Sequence, residues 1–183
     1  MNSEKVITVF GSSRPHDGDA DYAEARSLGA ELARARFAVC SGGYGGVMEA
    51  VSRGAKEAGG KTYGVTAEFF KPKVNAWIDV EVRMKTWQER LFELVRLADG
   101  FVACKGGTGT LVELAVVWEM LNKSVISAKP VAVMGEFWAP VLDRVREVEI
   151  DHEGPWGEAN GRLVHIAASQ EDAVAHLVSK LGK

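Results

Sequence analysis

Short apolar runs that end at glycine or serine, each followed by apolar residues three or four positions apart, recur along the whole chain. The first run, Val6 to Phe10, stops at Gly11-Ser12-Ser13, after which Ala25, Leu28 and Leu32 fall on one helix face. Phe37 to Cys40 stops at Ser41-Gly42-Gly43 and leads into a helix through Ala50, Val51 and Ala55. Tyr63 to Thr66 reads as a third strand and Ile78 to Val82 as a further extended piece. Thr86 then caps a helix, with Glu89 reaching back to it, and Leu91, Leu94, Val95 and Ala98 form the buried stripe. Strand Gly100 to Cys104, a helix from Thr110 to about Leu121, strand Val131 to Met134, a helix from Trp138 to Val148, strand Leu163 to Ala167 and a helix capped by Ser169 complete the series. Only the stretch from Asp151 to Gly161, with Pro155, Trp156 and three glycines, lacks a period and reads as a surface loop.

Such alternation predicts a parallel sheet with helices on both faces and right-handed crossovers. The expected fold is one Rossmann-like, doubly wound α/β domain over residues 1–183, a length that fits a single core. Apolar residues at 46% and charged residues at 26% exclude a disordered or fibrous chain. With 22 Lys and Arg against 25 Asp and Glu, no global positive field favours nucleic acid or anionic lipid, so neither partner is expected. Neither a signal-peptide core nor an 18-residue apolar run is seen, and a cytoplasmic, membrane-free protein is expected. Cys40 and Cys104 do not make a Cys-x-x-Cys pair, so no metal or cofactor is indicated. If the first strand lies between theirs, they stand roughly 10 Å apart and act as small buried hydrophobes.

In an open parallel sheet the ligand sits beyond the carboxyl ends of the strands, where strand order reverses. Three loops there are unusual: Gly11-Ser12-Ser13, Ser41-Gly42-Gly43-Tyr44-Gly45-Gly46 and Lys105-Gly106-Gly107-Thr108-Gly109-Thr110. Glycines admit a ligand close to the backbone, and the helix start behind them supplies unpaired N–H groups, which together make an anion site. Thr108 and Thr110 add hydroxyls. Tight turns alone would explain one such loop, but three at one sheet edge favour a site. The spacing matches neither a P-loop nor a Gly-x-Gly-x-x-Gly dinucleotide turn, so neither nucleoside triphosphate hydrolysis nor NAD is supported. Gly42 and Gly106 are 64 residues apart, each with a cysteine two positions before and a glutamate seven after, so Glu49 and Glu113 are equivalent by offset. Glu113 falls in about the first turn of its helix, where the dipole favours the ionised form. Arg90, with Glu89, Glu93 and Arg96 around it, reads by itself as one end of a solvated charge pair.

The segment from Arg90 to Glu113, with its Gly-Gly-x-Gly-Thr-x-x-Glu core, resembles the LONELY GUY (LOG) family of cytokinin riboside 5′-monophosphate phosphoribohydrolases, long labelled possible lysine decarboxylases. The likeness covers most of the chain: Gly11-Ser12-Ser13 resembles the family's Gly-Ser-Ser loop, and Gly42-Gly43-Tyr44-Gly45-Gly46-Val47-Met48 its Gly-Gly-Gly-x-x-Gly-Leu-Met segment. The resemblance implies catalysis by Arg90 and Glu113. It also implies nucleotide contacts at Gly11, Ser12, Ser13, Gly42, Gly43, Gly45, Gly46, Met48, Lys105, Gly106, Gly107, Thr108, Gly109 and Thr110. The implied substrate is a nucleoside 5′-monophosphate, split at the N-glycosidic bond, and the implied assembly is a homodimer or higher homo-oligomer. Where the family has a proline the chain has Lys105, the family's histidine before the arginine is absent, Leu91 stands for the following lysine, and Met84 to Glu89 looks like a lengthened approach. No lysine lies in a pyridoxal phosphate context. The other reading is a binding protein for a phosphorylated ligand, because short relatives of this fold resemble molybdenum-cofactor carriers.

Overall fold

The computed structural model describes residues 4–71, 73–150 and 161–182. Among these residues seven strands form one parallel sheet: β1 (Val6–Phe10), β2 (Ala38–Ser41), β3 (Thr62–Ala67), β4 (Val80–Met84), β5 (Gly100–Ala103), β6 (Val131–Met134) and β7 (Val164–Ala167). The helices described are α1 (Ala20–Arg34), α2 (Val47–Glu57), α3 (Trp87–Leu97), α4 (Thr108–Asn122), α5 (Ala139–Ile150) and α6 (Gln170–Leu181). The strand order is β4-β3-β2-β1-β5-β6-β7. The chain therefore winds outward from β1 to one edge, then returns to the other side of β1, where Val9 pairs with Val102 of β5. That reversal opens a crevice between the ends of β1 and β5. This is the expected Rossmann-like α/β fold.

β1, β2, β5 and β6 are buried almost throughout, as strands covered on both faces must be. One core layer packs Ile7, Val9 and Val39 against Leu28, Leu32, Val51 and Leu177 of α1, α2 and α6. The other packs Phe10, Phe101 and Val133 against Leu94, Leu114, Trp118 and Leu142 of α3, α4 and α5. Both cysteines are buried, with β1 between their strands, and burial pushes each thiol up to about 12. They behave as packing residues. Among the described residues, no helix is long and apolar enough to cross a membrane.

Several boundaries shift by a residue or two from the sequence reading, and two of the shifts have a local reason. The extended piece expected from Ile78 pairs only from Val80 onward, because Thr62 and Asp79 bind each other: Thr62 N–H donates to Asp79 Oδ2 (2.9 Å) and Asp79 N–H to Thr62 Oγ1 (3.0 Å). The helix expected from Thr110 begins at Thr108, with Gly107 as its extended N-cap. The predicted capping box at Thr86 and Glu89 forms in full. The loop expected from Asp151 falls, but for Gly161, outside the described residues.

Candidate functional site

The carboxyl ends of β1, β2 and β5 are tied into one rim. Ser12 N–H donates to Lys105 O (3.2 Å), Val47 N–H to Ser12 O (2.8 Å), and Trp138 Nε1 braces the third loop through Cys104 O (3.0 Å). Gly46 has φ +71, and a Cβ there would lie 2.4 Å from Ser12 O, so only glycine lets the second loop cross the first this closely. The rim encloses a cleft of about 1090 Å³.

Of the expected site residues, Gly11, Ser12, Ser13, Gly42, Met48, Arg90, Glu113 and all six from Lys105 to Thr110 line this cleft. Gly43, Gly45 and Gly46 do not line it; they shape the loop behind it. The first turn of α4 comprises Thr108, Gly109 and Thr110, and no side chain caps it. Its N–H groups and the positive end of its dipole thus face the cleft available to an anion. Lys105 is exposed and pairs with Asp21 of α1, Nζ to Oδ2 3.1 Å, while Ser12 Oγ is used locally, accepting from Arg14 N–H (3.1 Å).

Arg90 is not the solvated helix charge that its neighbours suggest. Only 5% of it is exposed, and the exposed pair is instead Glu93 with Arg96 (2.6 Å). Its Nε donates to Val65 O (2.8 Å), its guanidinium carbon lies 5.6 Å from the ring centroids of both Tyr44 and Phe70, and its Nη1 stands 3.6 Å from Glu113 Oε1. A Cβ on Gly42 would lie 1.8 Å from Arg90 Nη2, so the glycine provides the channel through which the guanidinium reaches the cleft. The Tyr44 ring is held in turn, its hydroxyl donating to Ala67 O (3.2 Å) and accepting from Ala67 N–H (2.9 Å).

Glu113 lies in the second turn of α4, one turn later than expected, with its side chain 14% exposed. The dipole was expected to favour its ionised form. Burial instead raises its pKa to about 7, outweighing the attraction of Arg90. A carboxyl that titrates near neutrality beside a fixed cation is suited to proton exchange and to stabilising positive charge. Glu49, its equivalent by offset, faces α1: Tyr22 donates to its Oε1 (3.1 Å), and it does not line the cleft.

The sequence reading missed the aromatic lining. Tyr44, Phe70, Trp87 and Phe137 border the cleft, as do Arg14, Asp19 and Asp21. Tyr44 carried a local signal, an aromatic residue flanked by glycines; Trp87 sits inside the Thr86–Glu89 capping box, which marks a helix start and not a ligand, and Phe70 and Phe137 come from segments with no motif.

The sequence profile of the SLOG cluster4 family matches residues 4–152. The cytokinin riboside 5′-monophosphate phosphoribohydrolase LOG of Oryza sativa subsp. japonica is 36% identical over 181 residues, 94% of this chain and 72% of that protein. The chain belongs to the LOG family. A second LOG-family relative, the cytokinin riboside 5′-monophosphate phosphoribohydrolase of Rhodococcoides fascians, is 26% identical over 183 residues, 96% of this chain and 90% of that protein. In fold, this LOG-family chain is also similar to the molybdenum cofactor binding protein from the phototrophic bacterium Rippkaea orientalis. That structure superposes with a TM-score of 0.79 over 100% of both chains at 24% identity.

Proposed function

We propose that the protein hydrolyses the N-glycosidic bond of a purine nucleoside 5′-monophosphate, releasing free base and ribose 5-phosphate. The observation that carries this reading is the Arg90–Glu113 pair, 3.6 Å apart beside the uncapped start of α4. In the reaction water adds to the anomeric carbon, the carbon–nitrogen bond breaks with its electron pair leaving on the base, and the base gains a proton. Positive charge grows on the ribose and negative charge on the base, as in other reactions through an oxocarbenium-like transition state. Glu113 answers the first charge, either directly or by orienting the attacking water. Arg90 answers the second, held rigid by Val65 O and the two rings so that little reorganisation is needed at the moment of reaction. The first-turn amides of α4, with Ser13, Thr108 and Lys105, receive the 5′-phosphate. Lys105 exchanges Asp21 for the ligand, and Tyr44, Phe70 and Trp87 offer ring faces to the base.

A second reading, binding of a phosphorylated pterin-type ligand without catalysis, draws on the fold shared with the Rippkaea orientalis protein and on the altered sequence around Arg90. Incubating the protein with a panel of nucleoside 5′-monophosphates and measuring free base separates the two. Base release supports the hydrolase, whereas nucleotide binding without release from any of them supports the carrier. We also propose a homodimer. Its candidate face is the apolar groove between α4 and α5, where Leu111, Val141 and Val145 are exposed. Among the described residues Trp118 Nε1 and Asn122 Oδ1 are buried beside that groove with no hydrogen-bond partner.

A further inference from the structure

The cleft extends well past the residues that a nucleoside monophosphate needs. It runs from Phe70, which follows β3, to Phe137, which follows β6. Four strand spacings separate β3 from β6 in the sheet, roughly 19 Å. Its volume of about 1090 Å³ lies just above the range of about 300–1,000 Å³ for clefts that hold drug-sized ligands. The two ends are alike in chemistry. At one, Tyr44 and Phe70 meet edge to face, with centroids 5.5 Å apart; at the other, Phe137 meets Trp138 in the same way at 5.0 Å. Phe137 remains 47% exposed, an apolar ring face presented to the cleft. Between the ends lie the start of α4 and two cations, Lys105 and Arg14. Lys105 already has Asp21, but the Arg14 guanidinium has no partner among the described residues.

On the reading of this cleft as a nucleotide site, we infer that it takes a nucleotide extended beyond its 5′-phosphate, of the dinucleoside diphosphate class. One ring lies against Tyr44 and Phe70, the diphosphate spans Arg14, in the loop after β1, and the start of α4, after β5, and the second ring lies against Phe137. A monophosphate would fill only the half between Phe70 and α4. In place of a single Gly-x-Gly-x-x-Gly turn, the loops after β1 and β5, joined by Ser12 N–H to Lys105 O, would share the diphosphate. Base–aromatic stacking tolerates any base, so the second ring adds affinity without fixing its identity.

Calorimetric titration of the full chain with AMP, ADP and diadenosine 5′,5′-diphosphate, each also followed for free adenine, tests this. The dinucleotide is expected to bind about tenfold or more tightly than AMP, the increment of one modest stacking contact plus one phosphate contact. Phe137→Ala should bring the dinucleotide back to the affinity of ADP, and Arg14→Ala should narrow the gap between ADP and AMP. Equal affinities for AMP and dinucleotide in the unaltered protein overturn the inference. A ratio that neither substitution moves also overturns it, as does a Phe137→Ala variant that changes the sedimentation coefficient in place of the ratio, since that assigns the ring to a protein contact. Adenine released from AMP with no preference for the dinucleotide keeps the hydrolase and removes the extension. The preference without adenine from any of the three keeps the extension and removes the hydrolase.

Discussion

Arg90 Nη1 stands 3.6 Å from Glu113 Oε1, joining the first turn of α3 to the second turn of α4 across the end of the sheet. The contact is an ion pair longer than a hydrogen bond, and the shortest polar contact of Arg90 is to the backbone, at Val65 O (2.8 Å). The arginine is thus fixed by the sheet, leaving the glutamate to respond to what enters the cleft.

If Glu113 acts on charge that develops only in the transition state, Glu113→Gln should keep nucleotide affinity within a few-fold while turnover falls about 100- to 1000-fold. Arg90→Lys should not rescue Arg90→Ala, because an ammonium cannot both donate to Val65 O and lie over two rings as the planar guanidinium does. Steady-state kinetics with independent binding measurements check both. Equal loss of affinity and turnover would mean uniform binding instead.

Glu49→Gln is the internal control. Glu49 faces Tyr22, away from the cleft, so turnover should change by less than a few-fold. The effect should be on stability, about 1 kcal/mol or less from the altered hydrogen bond, read as a shift in denaturation midpoint.

Gly42→Ala places a carbon where Arg90 Nη2 lies, so the guanidinium must move. Turnover should fall about 100-fold, and stability by about 1–3 kcal/mol, the usual cost of overpacking. Gly45→Ala, in the same loop with nothing near the added carbon and no positive φ, should leave both close to the parent. A crystal structure of the Gly42→Ala protein with Arg90 unmoved would contradict the account.

The raised pKa of Glu113 makes a signed prediction about pH. Its folded value of about 7 exceeds the ordinary glutamate value of 4.5, so between these the folded protein holds a proton that the unfolded chain has released. Stability conferred by the neutral form is present below about pH 4.5, declines as pH rises toward 7 and is flat above, a total of about 3 kcal/mol at most. Denaturant titrations at pH 5 and pH 8 should show this difference, and Glu113→Gln should remove it. The same ionisation should appear as a bend near pH 7 in kcat/KM.

Leu111→Glu or Val145→Glu, on the exposed faces of α4 and α5, should convert the proposed dimer to monomer by burying an unpaired carboxylate at the contact. Light scattering at micromolar concentration reads the mass directly. A parent protein that is already monomeric sinks the proposal.

Local chemistry explains how much was legible beforehand. The strands are short apolar runs because a sheet covered on both faces needs them, and the capping box at Thr86 and Glu89 forms from contacts within four residues, so both were readable in the amino-acid sequence. The glycine loops were readable as a pattern, but what a glycine there makes room for comes from elsewhere in the chain, Arg90 at Gly42 and Ser12 at Gly46. Strand order was not local. The reversal at β1 decided that the loops after β1, β2 and β5 would meet, and with them that Arg90 would be buried against Tyr44 and Phe70 instead of solvated beside Glu93. Offset alone left Glu49 and Glu113 equivalent. Tertiary packing separated them by turning one toward Tyr22 and the other into the cleft, where desolvation rather than the helix dipole sets its proton affinity. Burial and proximity belong to pairs of elements distant in the chain, which is why no window of residues could have stated them.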